Sequence, residues 1–178
     1  MKKVLIFIWE TAKIVVISLA IIIPIRYYLI QPFFVRGASM TPNFDNGQYL
    51  VVNEINYRFE KPERGQVIIF KYPLNPSQYY IKRIIGLPGE TVEIKNGQVF
   101  VYNTNTLEEI DLDESDYLPQ GMTTKGNIKV ELNQEEYFVL GDNRQASSDS
   151  RQWGVLPREN IIGFVWIRAW PFDSFKVF

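Results

Sequence analysis

The chain has 178 residues and contains neither cysteine nor histidine. Without cysteine there are no disulfides, no thiolate nucleophile and no Cys-ligated zinc or haem. Without histidine there is no imidazole base, which excludes a Ser-His-Asp triad. A hydrolytic site here must pair a hydroxyl nucleophile with lysine or a carboxylate, or use an oxygen-ligated metal. Excess charge is also missing. The 19 Lys and Arg against 20 Asp and Glu leave a net −1, which speaks against nucleic acid as a partner. The length fits one domain that buries a real core.

The charge is unevenly spread. Residues 1–40 carry Lys2, Lys3, Lys13, Arg26 and Arg36 against the single acid Glu10. Within them, 4–30 reads VLIFIWETAKIVVISLAIIIPIRYYLI. As a helix this segment spans about 40 Å, enough for a bilayer core of ~30 Å. Glu10 and Lys13 are placed to pair, and Lys13 and Arg26 to snorkel towards opposite interfaces. Phe7 and Trp9 flank one end and Tyr27, Tyr28, Phe33 and Phe34 the other, as in an aromatic belt. A cleaved signal peptide would want small residues after the apolar run, where Pro24, Arg26, Tyr27 and Tyr28 stand. Ile21, Ile22 and Ile23 allow a buried helix of a soluble domain, but a single uncleaved anchor fits the segment best. Lys2 and Lys3 favour a cytoplasmic N-terminus with the rest of the chain outside, while Arg26 and Arg36 pull the other way.

From residue 49 the pattern is mainly β. Runs at 49–52, 66–72, 79–85, 137–140 and 162–169 are rich in Val, Ile, Phe and Tyr. In TVEIKNGQVFVY (91–102), Asn96-Gly97 between alternating apolar positions predicts a hairpin with a type I′ turn. Residues 103–127 differ, with six acids and one lysine. They read as a solvated insertion or small subdomain, without the Gly and terminal Glu of a calcium-binding loop. The expected division is 1–31 for a cytoplasmic tip and transmembrane anchor and 32–178 for an extracytoplasmic β domain, with 103–127 as a polar acidic insertion.

Three segments can carry chemistry. In VRGASMTP (35–42), Ser39 follows Gly37 and Ala38 and lies nine residues beyond Ile30, close to the outer membrane face. Taken alone, such a serine is as readily part of a plain turn. In YYIKRIIGLPGE (79–90), a strand places Tyr80, Lys82 and Ile84 on one face and Ile81, Arg83 and Ile85 on the other. Lys82 is then either an edge-protecting charge or a desolvated amine that accepts a proton near neutral pH. Lowering it from ~10.4 to about 8 asks for about 3 kcal/mol of differential destabilisation of the ammonium. In GDNRQASSDSR (141–151), Asp142 and Asp149 balance Arg144 and Arg151, suggesting a network of bidentate pairs that stiffens a loop. Ser147 could order a nearby amine through its hydroxyl.

These segments, in this order after an apolar N-terminus, resemble type I signal peptidases, the membrane-bound Ser-Lys proteases. SMTP (39–42), YIKRIIGLPGE (80–90) and GDNRQASSDSRQWGVLP (141–157) carry the resemblance, supported by GQVIIFKYP (65–73) and IIGFVWIRAWPF (161–172). It implies a mainly β, coiled-sheet fold with an apolar surface on the membrane and one transmembrane helix. It implies Ser39 as nucleophile, Lys82 as general base and Ser147 as the hydroxyl that orients the amine, with Gly37 and Met40 in supporting positions. Arg83, Asp142, Asp149 and Arg151 would form structural ion pairs. The oxyanion would rest on the Ser39 N–H. Some members add a side-chain hydroxyl two residues earlier, where this chain has Gly37. The substrates would be signal peptides of secreted pre-proteins, cut after small residues in an Ala-x-Ala pattern. Lipid would be the other partner, the enzyme would act as a monomer, and no cofactor or metal is called for. A non-catalytic anchored β domain would not need both Ser39 and Lys82. A soluble self-cleaving repressor would carry a DNA-binding helical domain where the apolar segment stands.

Overall fold

The computed structural model describes residues 2–28 and 30–178; the side chains of 24–30 lie outside that description, and with them the roles expected of Pro24, Arg26, Tyr27 and Tyr28. The first helix, α1, runs Lys2–Tyr28. Its stretch Lys2–Ile23 has a mean hydropathy of 2.2 and is nowhere buried, so it is long and apolar enough to cross a membrane. Glu10 and Lys13 do pair, at 2.8 Å.

The strands follow. Strand β1 is Ile30–Phe34, β2 Tyr49–Asn53, β3 Val67–Tyr72 and β4 Asn75–Gly86. Next come β5 Glu90–Lys95, β6 Gln98–Asn103, β7 Glu109–Ile110, β8 Ile128–Glu131 and β9 Glu136–Leu140. A one-turn helix α2, Ser150–Trp153, precedes β10 Leu156–Pro157, β11 Ile161–Trp170 and β12 Lys176–Val177. The expected strands are present, and the fold is mainly β behind one apolar helix. The hairpin is β5–β6, paired from Glu90↔Asn103 to Lys95↔Gln98. Asn96 at φ 52 and Gly97 at φ 82 give the two left-handed positions a type I′ turn needs.

The larger sheet is antiparallel throughout and ordered β1-β2-β11-β3-β4-β9-β10, with β12 on β11; the smaller is β7-β6-β5-β8. The larger sheet coils on itself. Three strands separate β1 from β4, yet Phe33 of β1 meets Tyr79 of β4 edge to face with ring centroids 5.6 Å apart. The groove between these strands is where the site lies.

Strand β4 organises the core. Its alternation sends Ile81 to one apolar cluster with Met40, Leu50 and Ile69, and Ile84 to another with Phe70, Val139 and Leu156. A register shift against β9 between Ile84 and Gly86 breaks the alternation. Ile85 then joins a third cluster with Val92, Ile94 and Phe138 that holds the second sheet. Lys82 sits in the middle of this strand, among the most buried stretches of the chain.

Residues 103–127 are less detached than a solvated insertion. Their acids Glu108, Glu109, Asp111 and Asp113 do face solvent, or nearly so. But β7 extends the smaller sheet, Ile110 and Leu112 pack on the third cluster, and Thr124 is buried.

Candidate active site

Residues 35–48 fold as a compact turn between β1 and β2. Val35 N–H donates to Gln48 O at 2.9 Å and Gly47 N–H to Val35 O at 3.0 Å, which closes the loop at its base. At its tip, Asn43 and Phe44 both donate to Met40 O at 2.9 Å, and Thr41 donates to Ala38 O. The Met40 side chain is buried at 1% exposure and roots this turn in the first apolar cluster. The Ser39 N–H is not used in these turn bonds.

Ser39 is carried up to β4, where Lys82 Nζ donates to Ser39 Oγ at 2.7 Å and to Ile81 O at 2.7 Å. Lys82 is only 3% exposed. Burial pushes its ammonium down to about 8, against the opposing pull of the Asp149 and Asp142 carboxylates. The Tyr80 ring, two positions back on the same face, lies 5.4 Å from Nζ.

Arg83 turns the other way, as its position on the strand requires. It donates to both oxygens of Asp142, at 2.8 and 2.6 Å, and to Gly65 O at 2.7 Å. Asp149 caps α2, accepts from Gly141 N–H at 3.0 Å and pairs with Arg151 through both carboxylate oxygens. Burial would raise the Asp149 carboxyl, but Arg151, Gly141 N–H and the Ser147 hydroxyl outweigh it and hold it low. Of the four charges in 141–151, only Asp149 and Arg151 pair within the loop. Asp142 reaches back to Arg83, and Arg144 reaches Glu114.

The structure also places Ser147 and Gly37. Ser147 is buried, but it is not a partner of Lys82, whose amine turns to Ser39 and to the carbonyl of Ile81. Its hydroxyl lies against Gly141 and beside the Asp149 carboxylate. Gly37 brings no hydroxyl. It sits at φ +92, which L side chains rarely adopt, although open space surrounds it. Its N–H is engaged by Asn46 Oδ1 at 3.0 Å.

Other residues come into the site from a distance. Asn143 donates its N–H to Ser39 O and its Nδ2 to Ala38 O, both at 3.0 Å. Asn43 Nδ2 bridges Tyr117 O at 2.6 Å and Asp142 Oδ2 at 2.9 Å. Nothing local in the sequence marks these asparagines, because each works on a residue outside its own neighbourhood. Alongside the Ser39–Lys82 pair runs a groove of about 630 Å³ lined by Phe33, Val35, Leu50, Ile69, Tyr80 and Ile81.

Set beside known proteins, the chain is a serine-type endopeptidase. Residues 8–170 match the family described as signal peptidase, peptidase S26, and the chain belongs to that family. It is a membrane-associated peptidase of the kind that cleaves signal peptides. It is 35% identical over 173 residues to a probable signal peptidase I-1 of Synechocystis, covering 93% of this chain and 84% of that one. It is 33% identical over 173 residues to signal peptidase IB of Staphylococcus aureus, covering 91% and 89%. A solved signal peptidase I from Enterococcus faecalis aligns at 28% identity over 60% of this chain and 97% of that one, with a TM-score of 0.47.

Proposed function

We propose that this peptidase removes signal peptides from secreted pre-proteins with Ser39 as nucleophile and Lys82 as general base. The observation that carries the reading is the 2.7 Å contact between Lys82 Nζ and Ser39 Oγ, made by an amine almost wholly out of water. A neutral amine has two N–H groups and one lone pair. Ile81 O takes one N–H, which leaves the lone pair for the Ser39 proton. Ser39 Oγ then attacks the scissile carbonyl and forms an acyl-enzyme. The protonated Lys82 passes its proton to the leaving amine, and the same amine next activates the water that releases the acyl group. The Ser39 N–H is the oxyanion donor in this scheme. Arg83–Asp142 and Asp149–Arg151 hold the frame. Ser147 acts on it through Asp149.

The substrate enters extended, adding a strand in the groove between 33–36 and 79–82. The apolar side chains lining the groove crowd the positions beside Ser39, which favours small residues first and third before the cut. The anchor α1 puts Lys2 and Lys3 on the cytoplasmic side and residues 32–178 outside. Exposed Phe34, Tyr49, Trp170 and Phe172 adjoin one another at the β1 edge, with Phe34–Tyr49 centroids 5.0 Å apart and Trp170–Phe172 4.7 Å apart. This rim, at the Phe34 end of β1, suits contact with lipid. One copy of the chain contains every group the scheme uses.

The test is cleavage by the full-length protein in liposomes. One pre-protein carries Ala at the first and third positions before the cut, and a second carries Phe at the first. Wild type is expected to cut the first only, and Ser39→Ala neither. Cleavage by Ser39→Ala would overturn the nucleophile, and efficient cleavage after Phe would overturn the groove's preference.

A further inference from the structure

We propose that Glu114, in the acidic segment, is a positioning residue for the Ser39 nucleophile, acting through Arg144 and the turn that begins at Gly141. This rests on the assignment of Ser39 and Lys82 above. The starting observation is Arg144, whose side chain is completely buried. Its Nε donates to Gly141 O at 3.1 Å and one terminal nitrogen to Thr124 Oγ1 at 2.6 Å. Both terminal nitrogens reach the Glu114 carboxylate, at 3.2 and 2.5 Å. Arg144 N–H closes on Asp142 O at 3.0 Å, so its side chain and backbone together lock the 141–144 turn.

Asn143 lies inside that turn and holds the carbonyls of both Ala38 and Ser39. The backbone on either side of the nucleophile is therefore set by a residue whose own place depends on Arg144. Glu114 is the carboxylate that compensates this buried guanidinium. The same segment makes two more contacts with the frame. Tyr117 O accepts from Asn43 Nδ2, four residues beyond Ser39, and the Tyr117 ring lies 4.0 Å from the guanidinium of Arg83, the neighbour of Lys82.

A buried ion pair adds little net stability, because desolvation offsets the attraction; what it does is favour one geometry over its alternatives. A displacement of about 1 Å at a reacting group can cost about 100-fold in rate. The acidic stretch thus has a task beyond solubility: its 114–124 part straps the loop that presents Ser39.

The test compares Glu114→Ala, Glu114→Asp and the control Asp111→Ala with wild type on one pre-protein in detergent, well below the unfolding temperature. Glu114→Ala is expected to lower kcat by about 10- to 100-fold with KM within about twofold, since the groove is untouched. Glu114→Asp keeps the charge one methylene short, which should place its kcat between the two. Asp111→Ala should match wild type. If Glu114→Ala does not fold, Glu114→Asp decides. A kcat equal to wild type in the folded Glu114 variants, whatever their melting temperature, would reduce the strap to a structural brace and overturn the proposal. Ser39→Ala and Lys82→Met are run alongside. Activity in either would instead sink the underlying assignment.

Discussion

Lys82 Nζ lies 2.7 Å from Ser39 Oγ, and the carbonyl that shares the amine belongs to Ile81, the residue just before it on the strand. The lysine is thereby bent back towards its own backbone and aimed at the hydroxyl. Burial brings its ammonium down to about 8. In the proposed scheme the amine must be neutral to accept the Ser39 proton, so kcat/KM should rise with pH and level off above about 8. Steady-state cleavage between pH 6 and 10 checks this. A flat profile across that range would remove the amine from the mechanism.

The same burial has a stability consequence, and it runs in the same direction with pH. The Lys82 ammonium is at about 8 in the folded chain against 10.5 in the open one. Between those values the unfolded chain binds more protons, so stability rises with pH there. Below about 8 the folded protein carries a poorly solvated charge. Lys82→Met removes that charge and keeps the apolar stem. It should be inactive yet more stable at pH 7 by about 1–2 kcal/mol, after the lost hydrogen bonds are discounted. The gain should shrink towards pH 10. Denaturant titrations at both pH values report it, and a destabilised variant at pH 7 would show that the hydrogen bonds outweigh the desolvation.

Much of this site was legible along the chain. Lys82 stands out because a strand of Tyr and Ile desolvates it, and Asn96-Gly97 marks its hairpin because few residues tolerate two left-handed positions in a row. The supporting shell was not legible. Glu114 and Arg144 are one acid and one cation among many until the fold brings them together, and the acids around Glu114 read as a solvated run. Asn43 and Asn143 act across the molecule on Asp142 and on Ala38 and Ser39. Strand β1 was also hidden, since Pro32 among Gln31, Phe33 and Phe34 breaks the usual pattern. It is tolerated because β1 is an edge strand.

Asp142 is wholly buried against Arg83, and its charge pulls the Lys82 ammonium upward. Asp142→Asn keeps the shape, leaves Arg83 uncompensated and removes that pull. Stability should fall by about 3 kcal/mol. In the fraction that remains folded, the rise of kcat/KM with pH should begin at lower pH than in wild type. A shift to higher pH would mean that Asp142 acts on Lys82 through geometry rather than through its charge.

Gly141 supplies the sharpest steric test. A Cβ there would come within 2.2 Å of Ser147 Oγ and 2.4 Å of the Ser39 carbonyl oxygen. Neither contact can easily give way. Ser39 O is held by Asn143 N–H, and Gly141 is itself held on both sides, its N–H on Asp149 and its carbonyl under Arg144 Nε. The added methyl must therefore displace the backbone of Ser39. Gly141→Ala should lose at least about 100-fold in kcat and about 1–3 kcal/mol in stability. Gly37→Ala makes the contrast, because space around it is open and only its φ of +92 is at odds with a side chain. That variant should cost about 1–2 kcal/mol, with most of its turnover kept. Measured side by side, the two separate close approach from backbone conformation. Near-normal turnover in Gly141→Ala would mean that the Ser39 carbonyl is not held where the structure has it.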